Sequence, residues 1–348
     1  MPARSDPLHV TVIMPVRNEA AAVAATLDSV FDQSRPPDEV IVADGCSTDG
    51  TVQQVEHYAA RGRPVRIVRN ESRFCGGGRN AATEVAGDGV IVTMDFGNRA
   101  PRNWLEEMVR PFVEDPDLDL LGGLHFPITE TPFARVSSTV VSFEASLLPH
   151  LSGEEIAGLV PEGFVPGGMC MAYRKRVWEQ VGGFCEWARK GQDGLFGHRV
   201  RRLGGKVAYT AEATVYHHMP DNFRQLFGRH FHYALWNGRT GMERGSGRLV
   251  ARWAGGLILT AAAVAQPWLW GVWLPLILAY IYRGAWWKLR RIGAISGASF
   301  TLRDYLLAVP ILFLRDTAIV AGHVAGTLDR WLRPSWRSRT NAYLERGA

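Results

Sequence analysis

Only four cysteines occur in 348 residues (Cys46, Cys75, Cys170 and Cys185), and no two of them form a Cys-x-x-Cys pair. That spacing excludes a zinc ribbon and gives no disulfide framework, so thiols in a reducing, cytosolic compartment are expected. The start, MPARSDPLHV, has no apolar stretch, and export of the N-terminus is not expected. Charge is missing altogether from residues 254–282, a run of 29. The chain is otherwise 47% hydrophobic, too apolar for a disordered segment and ample for buried cores in about two domains.

Charge of both signs is present but unevenly spread. The net +5 resolves into 26 Lys+Arg against 30 Asp+Glu in the first 247 residues, and 13 against four beyond them. The front is mildly acidic and the tail basic, so a nucleic-acid partner is not expected: the globular part has no positive excess to neutralise phosphates. Eight of the 12 tryptophans lie in the tail. Indoles and bases flanking apolar runs suit a membrane interface, and about 20 residues cross the hydrocarbon core as a helix. Gln266-Pro267 interrupts the uncharged run, and proline breaks or kinks a helix. One kinked span and two short helices are both open. Residues 305–331 are apolar but carry Arg315 and Asp316 near the middle, which a true span tolerates poorly. A helix at the interface, or packed in a hairpin, is expected there. The competing reading is a buried helix pair of a soluble protein.

Before the tail, residues 10–15 (VTVIMP), 40–43, 65–68 and 90–94 read as short buried strands. Helices are expected over 21–30, after Ser47-Thr48-Asp49, and over 79–86. This alternation predicts an α/β fold, a mostly parallel sheet with helices on both faces. Ligands bind such sheets at the carboxyl ends of the strands, here residues 15–19, 44–49, 76–80 and 95–98. Residues 222–236 (NFRQLFGRHFHYALW) form a basic amphipathic helix, suited to a membrane surface or to a solvated linker.

The segments VIMPVRNE (12–19), VADGCSTDGT (42–51), GGRN (77–80), GDGVIVTMDFGN (87–98) and the stretch 182–204 with Gln192-Asp193 occur in one order and spacing. Together they resemble the family 2 glycosyltransferases over about residues 8–220. The resemblance implies a GT-A fold, a Rossmann-like sheet that binds a nucleotide sugar. It also implies roles. Pro15, Val16, Arg17 and Glu19 would line the base and ribose. Asp44 would accept an imide N–H of a uracil-like base, with guanine the alternative. Arg79 would pair with the diphosphate or stack on the base; its other reading is a surface salt bridge. Gly76, Gly77 and Gly78 would let the backbone approach the ligand.

The family's Asp-x-Asp motif holds a divalent cation, Mg2+ or Mn2+, against the diphosphate. Here the stretch is Asp95-Phe96-Gly97-Asn98. Asp95, able to hold metal or ribose, and Asn98 are candidate ligands of a weakened or rearranged site, with His217 preferred slightly over His218 as a third. An inverting transfer needs a base for the attacking hydroxyl. Asp193 takes that place by resemblance, and it could also cap a helix.

The expected divisions are a catalytic domain over 8–220, an amphipathic linker helix over 221–247, and a helical membrane anchor or hairpin with a basic tail over 248–348. The expected activity is inverting transfer from a nucleoside diphosphate sugar, with UDP favoured, to a lipid-linked or glycan acceptor in cell-envelope polysaccharide synthesis. The enzyme would sit at the inner membrane with its catalytic domain in the cytoplasm. Gly97 and Gln192 stand where the family has acids, which keeps open a degenerate member that binds nucleotide or lipid and scaffolds a partner enzyme. A processive synthase is disfavoured, because Gln225 and Arg229 do not complete a Gln-x-x-Arg-Trp motif.

Overall fold

Strand β1 (Val10–Val16) is buried along its whole length, as an unbroken apolar run requires. The computed structural model describes residues 8–152, 155–156, 163–242 and 245–346. β1 pairs in parallel with β2 (Glu39–Asp44) and β4 (Val90–Thr93), and β2 with β3 (Val65–Arg69). With β5 (Leu118–Ile128), β6 (Met171–Arg174) and β7 (Lys206–His218) they form one sheet, ordered β3-β2-β1-β4-β6-β5-β7. β6 runs antiparallel to both β4 and β5.

The two-residue period of the strands sorts their side chains to two faces. Val10, Val12, Met14 and Val16 join one core with helices α1 (Val23–Phe31), α2 (Thr51–Ala60) and α4 (Trp104–Glu114). Ile13, Ile41 and Ile91 join another with α3 (Cys75–Val85), α7 (Lys175–Val181) and α8 (Gln192–Arg202). The mostly parallel α/β sheet read from the sequence is thus covered on both sides.

The first unit comprises residues 1–126, 152–217 and 342–348; the second comprises 127–151 and 218–341. The break at 217/218 lies three residues before the division expected at 220, and the units are not divided at 247. Residues 221–247 are no separate linker, because helix α9 (Phe223–Thr240) buries Leu226, Ala234, Trp236 and Gly238. Residues 127–151 also belong to the helical unit, and residues 342–348 to the sheet unit. There the Tyr343 hydroxyl donates to the Gly183 carbonyl at 2.7 Å, and the Arg199 guanidinium donates to the Arg346 carbonyl while lying 5.0 Å over the Tyr343 ring.

In the second unit α5 (Pro132–Val141), α9, α12 (Trp287–Ser296) and α13 (Leu302–Leu332) contribute a core that includes Val136, Leu226, Leu289, Ile311 and Leu312. α13 opens on a capping box: the Thr301 N–H donates to Asp304 Oδ2 at 2.7 Å. On α13, a Cβ at Gly322 would overlap the Phe231 carbonyl of α9, and one at Gly326 the Leu235 carbonyl. These small residues let two helix backbones approach closely, as small-x-x-x-small rows do.

The structure of the apolar tail resolves one of the alternatives. The helix expected over 305–331 is a single one of 31 residues, Leu302–Leu332. Its central charges are paired: Arg315 Nε donates to Asp316 Oδ1 at 2.7 Å, and Asp316 is wholly buried. Pairing offsets part of the burial cost that argued against a span. The uncharged run is two helices, α10 (Gly245–Ala265) and α11 (Trp270–Ile281), parted at Gln266-Pro267. Ser246–Ala265 and Leu302–Leu332 are long and apolar enough to cross a membrane.

Candidate active site

The loops after β1 and β2 are laced together, and the register of β1 against β2 sets Val16 beside Asp44 at their carboxyl ends. Asn18, held at φ +56°, donates its N–H to Ser47 Oγ at 2.9 Å and accepts the Thr48 N–H on Oδ1 at 2.8 Å. Asp49 accepts the Ala20 N–H at 3.0 Å, and Thr51 Oγ1 accepts that of Glu19 at 3.0 Å. The Ser-Thr-Asp run is therefore a clasp between two strand-end loops; the cap position of α2 falls to Gly50. Asp44 is nearly buried and accepts the Ser47 N–H on both oxygens, at 3.2 Å each.

A cleft of about 270 Å3 opens at these strand ends. Pro15, Val16, Arg17, Glu19 and Asp95 line it, as do Asn70, Arg73, Phe74, Cys75 and Phe96, which the sequence reading did not single out. Burial, and secondarily the Asp49 charge, push the Glu19 carboxyl above its ordinary range. Arg73 has φ +61°, a backbone conformation that no sequence pattern announced. Asp44 and Arg79 are not among the lining residues.

Arg79 lies beneath the cleft, 1% exposed. Its Nη2 donates to Asp95 Oδ1 at 2.7 Å and to the Gly168 carbonyl at 3.0 Å. Burial opposes its charge, but Asp95 and then Cys75 and Asp193 outweigh that, so its pKa stands above the ordinary arginine value. Thr93 Oγ1 donates to the same Gly168 carbonyl, at 2.5 Å, and the Gly168 N–H donates to Asp193 Oδ2 at 2.8 Å. Asp193 does not cap its helix. The cap position of α8 is Gly191, at φ +78°, and Asp193 sits in the first turn, where a carboxylate complements the helix dipole.

Gly76, Gly77 and Gly78 do not form an open loop toward a ligand. They are the first turn of α3, and a Cβ on Gly76 would come 2.8 Å from the Cys185 carbonyl, one on Gly78 3.0 Å from Pro15 Cβ. Their smallness lets the helix press against the sheet. His217 and His218 are the last residues of β7. Arg99 and Tyr216 exchange N–H···O bonds of 2.9 and 2.8 Å, which sets Asn98 opposite His217 in the antiparallel register. Both are nearly buried, and the His217 ring lies 5.4 Å from that of His125. Gly97 has φ +84°, so the position of the missing second aspartate is a left-handed turn. Among the described residues no three His, Cys, Asp or Glu side chains gather as a metal cluster.

Residues 11–182 match the family described as Glycosyl transferase family 2. An O-antigen chain rhamnosyltransferase of Salmonella anatum is 29% identical over 64% of this chain and 70% of its own. A succinoglycan biosynthesis protein of Rhizobium meliloti is 21% identical over 64% of this chain and 67% of its own. In structure, a mannosyltransferase of Pyrobaculum calidifontis, solved with GDP-Man and Mn2+, superposes with a TM-score of 0.53 at 20% identity, covering 94% of this chain and 88% of that one, a likeness of fold. A GT-A sheet, an ordered set of strand-end motifs and these relatives agree: the chain carries a family 2 glycosyltransferase domain over residues 11–182 and is a glycosyltransferase.

Proposed function

We propose that the chain transfers a sugar from a nucleoside diphosphate to a lipid-linked or glycan acceptor in polysaccharide synthesis, with inversion, while attached to a membrane by its helical unit. The observation that carries this is the pairing of Asp95, which faces the cleft, with Asp193, whose carboxylate is fixed by the Gly168 N–H at 2.8 Å. The first suits the donor, and the second suits a base that takes the proton of the attacking hydroxyl. Pro15, Val16, Arg17 and Glu19 would flank the base and ribose, with UDP the favoured nucleotide. Asp44 sits at the edge of this loop set. The relatives named for O-antigen and succinoglycan synthesis favour a growing envelope polysaccharide as acceptor.

A divalent cation fits as a guest of the donor. Mg2+ and Mn2+ sites commonly use one or two carboxylates plus substrate phosphates rather than a full protein cage. Asp95 has Oδ2 clear of the Arg79 bond, and the nearly buried Asn98 offers a neutral amide oxygen, the kind of ligand such ions take. Asp95 would hold the ion, with Asn98 and His217 as the neighbouring donors. Bound there, it would neutralise charge on the departing diphosphate. Membrane attachment, on the cytoplasmic face of the inner membrane, is favoured by the two long apolar helices and by Leu257, Ile258, Val264 and Trp268, all well exposed.

The test is a panel of nucleotide sugars offered to the full chain in membranes with native lipid extract, read by product mass. Asp193→Asn is expected to lower transfer by about 1000-fold while UDP or GDP affinity stays within about threefold. Full turnover by that variant removes Asp193 as the base. Excess chelator should lower transfer at least about tenfold; an undiminished rate removes the cation.

A further inference from the structure

We propose that Arg79 is a positioning residue rather than a donor contact: one nitrogen of its buried guanidinium ties the cleft-facing Asp95 to the Gly168 loop, and through that loop it sets Asp193. The inference rests on the reading of Asp193 as the base. Three observations support it. Arg79 is almost wholly buried and does not line the cleft, whereas Arg17 and Arg73 do. All its hydrogen bonding passes through Nη2, since Nε and Nη1 have no partner among the described residues. The Gly168 carbonyl accepts from both Arg79 and Thr93, while the Gly168 N–H donates to Asp193. One residue is thus pinned on its carbonyl side by the donor half of the site and spends its amide on the base.

The close fit explains why the loop carries glycine at this point. A Cβ at Gly168 would overlap the Arg79 guanidinium. Gly168→Ala therefore pushes on the strut from one end, and Arg79→Lys weakens it from the other, because the shorter, flexible lysine stem does not hold a nitrogen where the rigid guanidinium holds Nη2. Misplacing a reacting group by about an ångström costs about 100-fold in rate. A residue that acts only through Asp193 and Asp95 should cost kcat and spare nucleotide affinity.

The experiment uses the full chain in detergent or nanodiscs. Calorimetry with UDP and GDP, and turnover with whichever donor the parent accepts, are measured for the parent, Arg79→Lys, Gly168→Ala, the double variant, and Arg17→Ala as a cleft-lining control. Melting temperature monitors folding, and if one single variant does not fold the other carries the same comparison. The expected result is nucleotide affinity within about threefold of the parent for Arg79→Lys and Gly168→Ala, kcat lowered about 100-fold in each, and no further loss in the double variant. The acid limb of the pH–rate profile should also move, because the Gly168 N–H no longer fixes the base. A merely structural role would leave that limb in place. Loss of nucleotide affinity by tenfold or more in Arg79→Lys, an unchanged kcat, or an unmoved acid limb overturns the proposal. If the parent turns over no donor, the proposed function falls, and the affinity comparison alone decides where Arg79 acts.

Discussion

The most deeply buried ion pairs of the sheet unit and of the helical unit bury opposite members. In the helical unit the acid is inside: Asp304 and Asp316 have side chains 6% and 0% exposed, paired with Arg135 and Arg315 at 40% and 18%. In the sheet unit the base is inside: the Arg79 side chain is 2% exposed and its partner Asp95 37%. A buried acid held by a peripheral arginine secures helices and offers nothing to a ligand. A buried arginine beneath a half-open carboxylate does the reverse, because it fixes an oxygen at the wall of a cleft. Which partner faces outward separates an ion pair that serves the fold from one that serves the site.

Neutralising one acid in each unit puts that contrast to its strongest test. Asp95→Asn should lower transfer at least about 100-fold and stability by about 2 kcal/mol, since it strands a buried cation next to solvent. Asp304→Asn should cost about 3 kcal/mol, through the lost capping box and Arg135 pair, with kcat per folded molecule unchanged. Turnover and thermal unfolding together decide it; a matching fall in kcat for Asp304→Asn breaks the comparison.

Acid should weaken the helical unit selectively. His230 titrates at about 4, lowered first by burial and then by Arg229 and Arg315, so it is neutral in the fold at neutral pH. Its folded pKa lies below the unfolded value of about 6.5, so the unfolded chain takes up the proton first. Stability is then lost as pH falls from about 6.5 toward 4, by about 2 kcal/mol between pH 7 and 5. His230→Gln should flatten that slope in melting curves, and a slope as steep as the parent's would assign the loss to another group. The smallest effect is expected at the altered metal motif. Gly97→Ala meets nothing within 4 Å but must adopt φ +84°, so about 1 kcal/mol of destabilisation is expected from backbone strain alone. A neutral or stabilising result in unfolding curves would show that the turn relaxes.

Much of the sheet was legible because its strands are short unbroken apolar runs: VTVIMP foretold β1 to within a residue of Val10–Val16. Five residues of the cleft were legible for a related reason, since they follow strands whose ends the pattern marks. Arg79 was expected on the diphosphate or base by resemblance and for its planar guanidinium, and its burial was not foreseen. Yet CGGGRNAAT carries one charge among small residues, and small residues on a helix mean close packing, so that lone charge had to be buried and paired. The excursion of residues 127–151 into the helical unit left no mark, because PFARVSSTVV is as amphipathic as a helix of either unit. The place of His217 in a strand was not legible, because Glu212 and the small residues around it interrupt the apolar pattern of β7.

The docking of Tyr343 and Arg346 on Gly183 and Arg199 has a consequence in time. A ribosome delivers these residues after the apolar helices of the second unit, so the sheet unit acquires this contact only once those helices have been made. A chain arrested before Tyr343 has all its strand-end motifs and still lacks the ring that covers Arg199, six residues along the helix from Asp193. Synthesis order thus completes this part of the sheet unit after the apolar helices.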